Sequence, residues 1–129
     1  ADTIIGTTTD DLINGLGGDD VIDGGLGDDL LQGGDGADEV SGGLGDDQVS
    51  GGAGPDDVSG GKGNDDVRGG PGPDILDGGA GEDEVSGGRG HDGITANDGE
   101  RDVINCGQNV DDVRADEKDD VSSNCENVS

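Results

Sequence analysis

From Gly6 to Thr95 the chain divides into ten units of nine residues with no gap. The last eight, from GGLGDDLLQ (24–32) to GGRGHDGIT (87–95), keep Gly-Gly-any-Gly-any-Asp without exception. The first two, GTTTDDLIN (6–14) and GLGGDDVID (15–23), keep the aspartate and lose part of the glycine pattern. A fixed period of this kind marks a repeat architecture, whose units are stable only when stacked on their neighbours. The eighth place of every unit is apolar: Ile13, Ile22, Leu31, Val40, Val49, Val58, Val67, Leu76, Val85 and Ile94. Most of these are β-branched, which favours strand. Each unit thus reads as a six-residue glycine turn and a three-residue strand, with the eighth residue facing opposite to the seventh and ninth.

Such a strand cannot bury its one apolar residue alone. If the chain winds, every second unit returns to the same side, stacked about 4.8 Å above its predecessor. One winding is then eighteen residues, and two short parallel sheets face each other across a ladder of eighth-place residues. The expected fold is all-β, a right-handed two-sheet solenoid. After Thr95 one residue is inserted, and NDGERDVIN (97–105) and CGQNVDDVR (106–114) keep Asp102, Ile104, Asp111 and Val113 in place. Shorter units carrying Val121 and Val128 follow. The expectation is a single domain, 1–129, with repeats over 6–95 and a degenerate cap over 96–129 closing the core.

Apolar burial alone cannot hold this chain together. It has 33 acidic residues against 6 basic ones, a formal net charge of −27, and 26% hydrophobic residues with no Phe, Trp, Tyr or Met. A chain of that charge and hydropathy stays open in plain water. The same acidity disfavours nucleic acid and anionic membrane as partners, and no apolar run is long enough for a membrane span. It favours cations. A tight glycine turn leaves backbone carbonyls and one aspartate facing the next turn, with no His or Cys among them. Oxygen donors at that density suit a hard cation such as calcium.

GGLGDDQVS (42–50) and GGAGPDDVS (51–59) match GGxGxDxUx. In this the chain resembles the RTX (hemolysin-type) calcium-binding family. The resemblance implies a parallel β-roll with calcium ions between adjacent turns on each side. Each ion would take a carboxylate oxygen and backbone carbonyls from two stacked turns. Carried over, the carboxylate ligands are Asp20, Asp29, Asp38, Asp47, Asp56, Asp65, Asp74, Asp83 and Asp92, with Asp11, Asp102 and Asp111 as weaker members at the ends. The carbonyls are those of Gly24, Gly33, Gly42, Gly51, Gly60, Gly69, Gly78 and Gly87. Pairing each of the ten units with the one two further on gives roughly eight calcium ions at most. The family also implies a secreted module that is unfolded in the low-calcium cytosol and folds outside. Its usual export is the type I route, while the cysteine pair leaves Sec-type export open.

Cys106 and Cys125 are nineteen residues apart, close to one winding, which would stack them within disulfide reach and pin the cap. The rival readings are a two-thiol metal site or free thiols. His91, the only histidine, occupies a variable turn position and reads as a solvated loop residue. Lys62, Arg68, Arg89, Arg101, Arg114 and Lys118 all lie in the second half and temper local repulsion. Leu12, Val21 and Leu30 make the N-terminal end apolar on its outer faces, a surface for an upstream domain or for self-association. No HExxH, GxSxG or P-loop is present, so the chain is expected not to be an enzyme. The alternatives to a calcium-folded module are a calcium-stiffened adhesin segment and the accessory domain of a secreted enzyme.

Overall fold

The computed structural model describes residues 1–129. Fifteen strands follow the repeat: β1 (Thr3–Ile5), β2 (Leu12–Asn14), β3 (Val21–Leu26), β4 (Leu30–Asp35), β5 (Glu39–Leu44), β6 (Gln48–Ala53), β7 (Asp57–Lys62) and β8 (Asp66–Pro71). β9 (Ile75–Ala80), β10 (Glu84–Arg89), β11 (Gly93–Ala96), β12 (Val103–Gln108), β13 (Asp112–Ala115), β14 (Asp120–Val121) and β15 (Asn127–Val128) complete it. The odd-numbered strands form one sheet in the order β1-β3-β5-β7-β9-β11-β13-β15, and the even-numbered strands form the other. Every pairing is parallel. The chain therefore changes sheet at each turn, as the nine-residue period requires. No helix is long and apolar enough to cross a membrane.

The register is the repeat itself. Val40 pairs with Val58 and Val58 with Leu76 in one sheet, while Val49 pairs with Val67 in the other. Each step is eighteen residues. Ile22, Leu31, Val40, Val49, Val58, Val67, Leu76, Val85 and Ile94 are buried, and Ile104 and Val113 extend the same ladder into the cap. Ile13 and Val121 are partly buried against this core, and Val128 is exposed. The end rungs have a neighbour on one side only.

The strands are longer than the sequence pattern suggests. From β3 to β10 each runs six residues, through both leading glycines and into the third place of the next unit. The inward alternation continues with it, so the first glycine is buried beside the apolar rung. The second glycine is where the chain needs glycine for its backbone. Gly61 has φ +115°, and a Cβ there would run into the peptide of Gly43 one winding below.

Leu16 occupies that second place in unit two and is held at φ +74° while 75% exposed. A left-handed L-residue costs roughly 1–2 kcal/mol, and this one buries little in return. Leu16→Gly is expected to raise the melting temperature of the folded protein. The gain is a few tenths to about 1 kcal/mol, because glycine's extra unfolded-state freedom offsets part of the relief. A lower melting temperature would contradict the strain.

In the cap the winding changes length. Val85 pairs with Ile104 and Ile94 with Val113, nineteen residues on, whereas Ile104 pairs with Val121 at seventeen and Val113 with Val128 at fifteen. Ala96 stays in strand β11 and pairs with Ala115, so the extra residue is absorbed by the turn that follows. Cys106 and Cys125 form a disulfide, with Cα atoms 5.2 Å apart.

Candidate metal centres

The sixth-place aspartates form two carboxylate ladders, one along each row of turns. From Asp20 to Asp111 one carboxylate oxygen, Oδ1, accepts the backbone N–H of the aspartate one winding earlier. Asp29 N–H donates to Asp47 Oδ1 at 2.7 Å, Asp47 to Asp65 at 2.8 Å and Asp65 to Asp83 at 2.8 Å. On the opposite row Asp38 donates to Asp56 at 2.9 Å, Asp56 to Asp74 at 3.0 Å and Asp74 to Asp92 at 2.9 Å. The backbone thus fixes each carboxylate and leaves one oxygen to spare.

That second oxygen is buried and alone. Oδ2 of Asp20, Asp29, Asp38, Asp47, Asp56, Asp65, Asp74, Asp83, Asp92, Asp102 and Asp111 has no hydrogen-bond partner. All eleven residues are at most 3% exposed. An unsatisfied buried acceptor costs about 1–3 kcal/mol, and more when charged, so two rows of them cannot stand uncompensated.

What Oδ2 faces is set by the first glycine. A Cβ built on Gly33 would lie 2.5 Å from Asp38 Oδ2 and 2.5 Å from the carbonyl oxygen of Gly51, one winding on. On Gly15 it would lie 2.6 Å from Asp20 Oδ2 and 2.5 Å from the Gly33 carbonyl oxygen. Carboxylate and carbonyl oxygens from two stacked turns therefore converge where any other residue would place a side chain. Nowhere do three or more His, Cys, Asp or Glu side chains gather into a metal-holding group. Each turn offers one carboxylate, and the remaining donors available are backbone carbonyls. Hard oxygens from side chain and backbone fit calcium rather than zinc or copper.

Burial raises the carboxyls of Asp47, Asp56, Asp83 and Asp92 above the usual range, and those of Asp65, Asp74 and Asp102 to about 6. Neighbouring aspartates add to the rise, and the donated backbone N–H opposes it. Between 3.8 and about 6, then, the metal-free roll holds protons that the unfolded chain has released. Its stability falls as pH rises through that window. In chelator, β-structure is expected to increase as pH is lowered from 7 to about 4.5. Far-UV circular dichroism checks this, and a loss of β signal on acidification would contradict it.

The ends of the ladders differ from the middle. At Asp11, Thr7 donates to Oδ2 through both its N–H (2.5 Å) and its hydroxyl (2.9 Å), so that oxygen is already satisfied. At Asp102 and Asp111 the carboxylate is in place, but Ala96 and Cys106 stand where the first glycine stands in the repeats. Both are buried, so side chains occupy positions that are bare in the glycine turns.

Three ladder members escaped the glycine-based reading. Asp2 N–H donates to Asp20 Oδ1, Asp119 Oδ1 accepts from Asp102 N–H at 3.1 Å, and Glu126 accepts from Asp111 N–H at 3.3 Å. The signal was an acid two residues before an apolar rung: Asp2 before Ile4, Asp119 before Val121, Glu126 before Val128. His91 is exposed and donates from Nδ1 to the Val110 carbonyl at 2.7 Å, a turn-to-turn tie. Of the basic side chains, Arg68 pairs with Asp66 at 2.6 Å and Arg101 with Asp120 at 3.7 Å.

Comparison with protein families matches the RTX calcium-binding nonapeptide repeat over residues 1–31, 24–58 and 59–94. The chain belongs to that family. Its repeats are calcium-binding repeats, and the two-sheet β-roll with its oxygen-lined turns is the structural module that they form. The match ends one residue before the last nonapeptide does, so the cap lies outside it. No curated protein matches the chain.

Proposed function

We propose that this RTX roll is a secreted folding module, disordered at cytosolic calcium and ordered at extracellular calcium. The observation that carries this reading is the double row of buried Oδ2 atoms, each without a partner. A bound calcium ion supplies two positive charges and accepts six to eight oxygen ligands. Asp20, Asp29, Asp38, Asp47, Asp56, Asp65, Asp74, Asp83 and Asp92 would each give Oδ2, and the first-place residue one winding on its carbonyl oxygen, a glycine for all but Asp83 and Asp92, where Ala96 and Cys106 stand in that place. The chain's own work is to orient these atoms. The N–H of the preceding aspartate pins Oδ1, the bare glycine opens the space, and the parallel strand pairing fixes the distance between windings. Asp11, already satisfied by Thr7, and Asp102 and Asp111, with side chains in the first glycine place, are the poorest members. Roughly eight ions at most remain a fitting number for ten glycine turns. The role is structural, not catalytic.

The central carboxylates give a direct test. Asp65→Asn keeps the acceptor for Asp47 N–H and removes the charge. Calorimetric titration is expected to count one ion fewer, or the same number with a weaker step, in an otherwise folded protein. An unchanged count and unchanged affinities would remove Asp65 from the site and with it the pattern of sixth-place ligands.

A further inference from the structure

We propose that the Cys106–Cys125 disulfide is a positioning element for the last cation site of its row, so that calcium affinity at that end depends on redox state. This rests on the calcium reading above and adds to it a ligand and a control.

In the repeats, the first-place residue that offers its carbonyl to the turn below is glycine. At the end of the row it is Cys106. A Cβ built on Gly87 would lie 2.6 Å from Asp92 Oδ2 and 2.6 Å from the Cys106 carbonyl oxygen, the same convergence seen at Gly33 and Gly15. The final donor pair of this row is therefore Asp92 Oδ2 and Cys106 O, the second on a residue that is covalently tied to the cap.

The cap segment holds that residue from both sides. Asn124, next to Cys125, donates from Nδ2 to Asn105 Oδ1 at 2.8 Å and to the Gly107 carbonyl at 3.1 Å, bracketing Cys106. Glu126, on the other side of Cys125, accepts from Asp111 N–H, and Asp111 Oδ1 accepts from Asp92 N–H at 2.8 Å. One crosslink thus anchors the carbonyl, its two neighbours and the end of the carboxylate ladder. Without it, residues 122–126 are held to the winding before by four hydrogen bonds, made by Ser122, Asn124 and Glu126, near a chain end, and such segments fray.

The bond forms by thiol–disulfide exchange. One cysteine thiolate attacks a small-molecule disulfide, giving a mixed disulfide and releasing one thiol. The other cysteine thiolate displaces the second thiol. Two cysteine thiols are oxidised, and one small-molecule disulfide is reduced to two thiols. An oxidising exterior would supply such a disulfide together with calcium.

The test is a set of calcium titrations followed by far-UV circular dichroism, each on the full chain oxidised and after reduction with dithiothreitol. Oxidised protein is expected to fold at a several-fold lower calcium midpoint than reduced protein, with the same spectrum at saturation. In Asp92→Asn, which lacks the terminal carboxylate, reduction is expected to leave the midpoint unchanged. In Asp83→Asn, on the opposite row, reduction is expected to shift it as in the parent. A merely structural crosslink would shift all three alike, and that result overturns the proposal. So do equal midpoints for oxidised and reduced parent, and so does a reduced chain that stays unfolded at saturating calcium. If no form responds to calcium, the calcium reading itself fails and this inference falls with it.

Discussion

Gly33→Ala is expected to cripple the roll, and Gly93→Ala to leave it intact. The two substitutions add the same methyl group to the same kind of solenoid. At Gly33 that carbon would sit 2.5 Å from Asp38 Oδ2 and 2.5 Å from the Gly51 carbonyl oxygen, distances real side chains do not tolerate. Neither neighbour can move freely: Asp38 Oδ1 is tied to Asp20 N–H at 2.8 Å, and Gly51 lies within the paired strand β6. Forced overpacking of this kind costs typically about 1–3 kcal/mol. Here the methyl group would also fill the space on which the oxygen donors converge, so the lost calcium affinity adds to that cost. At Gly93 a Cβ would meet nothing within 4 Å, and the backbone lies outside the left-handed region. Alanine there is expected to be neutral, or stabilising by up to about 1 kcal/mol through the unfolded chain. Thermal denaturation of both variants in calcium compares them. Equal melting temperatures would mean that the first-place glycines serve the turn in general and have no special role between the rows.

Chelation is expected to unfold the protein outright. The core is one apolar side chain wide, with 13 buried apolar residues in 129, and the surface carries a net charge of −27. Taking sites with dissociation constants near 10⁻⁴ M and calcium about tenfold higher, each contributes roughly 1.4 kcal/mol by mass action. About eight such sites contribute on the order of 11 kcal/mol, comparable with the whole stability of an ordinary domain. Eight divalent ions would also cancel about 16 of the negative charges that drive the windings apart. In excess chelator at neutral pH the chain is expected to lose its parallel β signal and to expand in small-angle scattering. The disulfide survives chelation but closes only a short loop, so it cannot hold the repeats. A compact β-structure persisting without divalent cations would contradict this.

Much of this architecture is legible in the sequence because two periodicities coincide. The apolar eighth place sets the sheets, and the doubled period sets which units stack, so Val40 above Val58 and Val49 above Val67 could be read without a structure. The length of the strands could not. Glycine has poor strand propensity, yet Gly42 and Gly43 lie in β5 because Gly43 is paired with Gly25 and Gly61 in the windings on either side, and Gly42 sits between it and the paired Ser41. The chemistry of the carboxylates was half visible. That the sixth-place aspartates face a neighbouring turn follows from spacing. That each spends one oxygen on a backbone N–H and strands the other depends on atomic geometry that no spacing encodes. The cap was the least legible part. Its windings of nineteen, seventeen and fifteen residues break the period, and Asp119 and Glu126 replace the glycine-turn aspartates through a weaker pattern of acid before rung.

Oxygen-lined turns, filled by calcium, are expected to order this chain. A calcium titration of chelator-treated protein followed by far-UV circular dichroism, with magnesium run in parallel, tests it most directly. Magnesium is smaller, dehydrates reluctantly and demands near-octahedral geometry, which rows of fixed carbonyls do not offer. The expected result is a cooperative rise of β signal with calcium near extracellular concentrations and none with magnesium. A β spectrum already present in chelator at neutral pH, or equal folding by magnesium at the same concentration, would contradict the account.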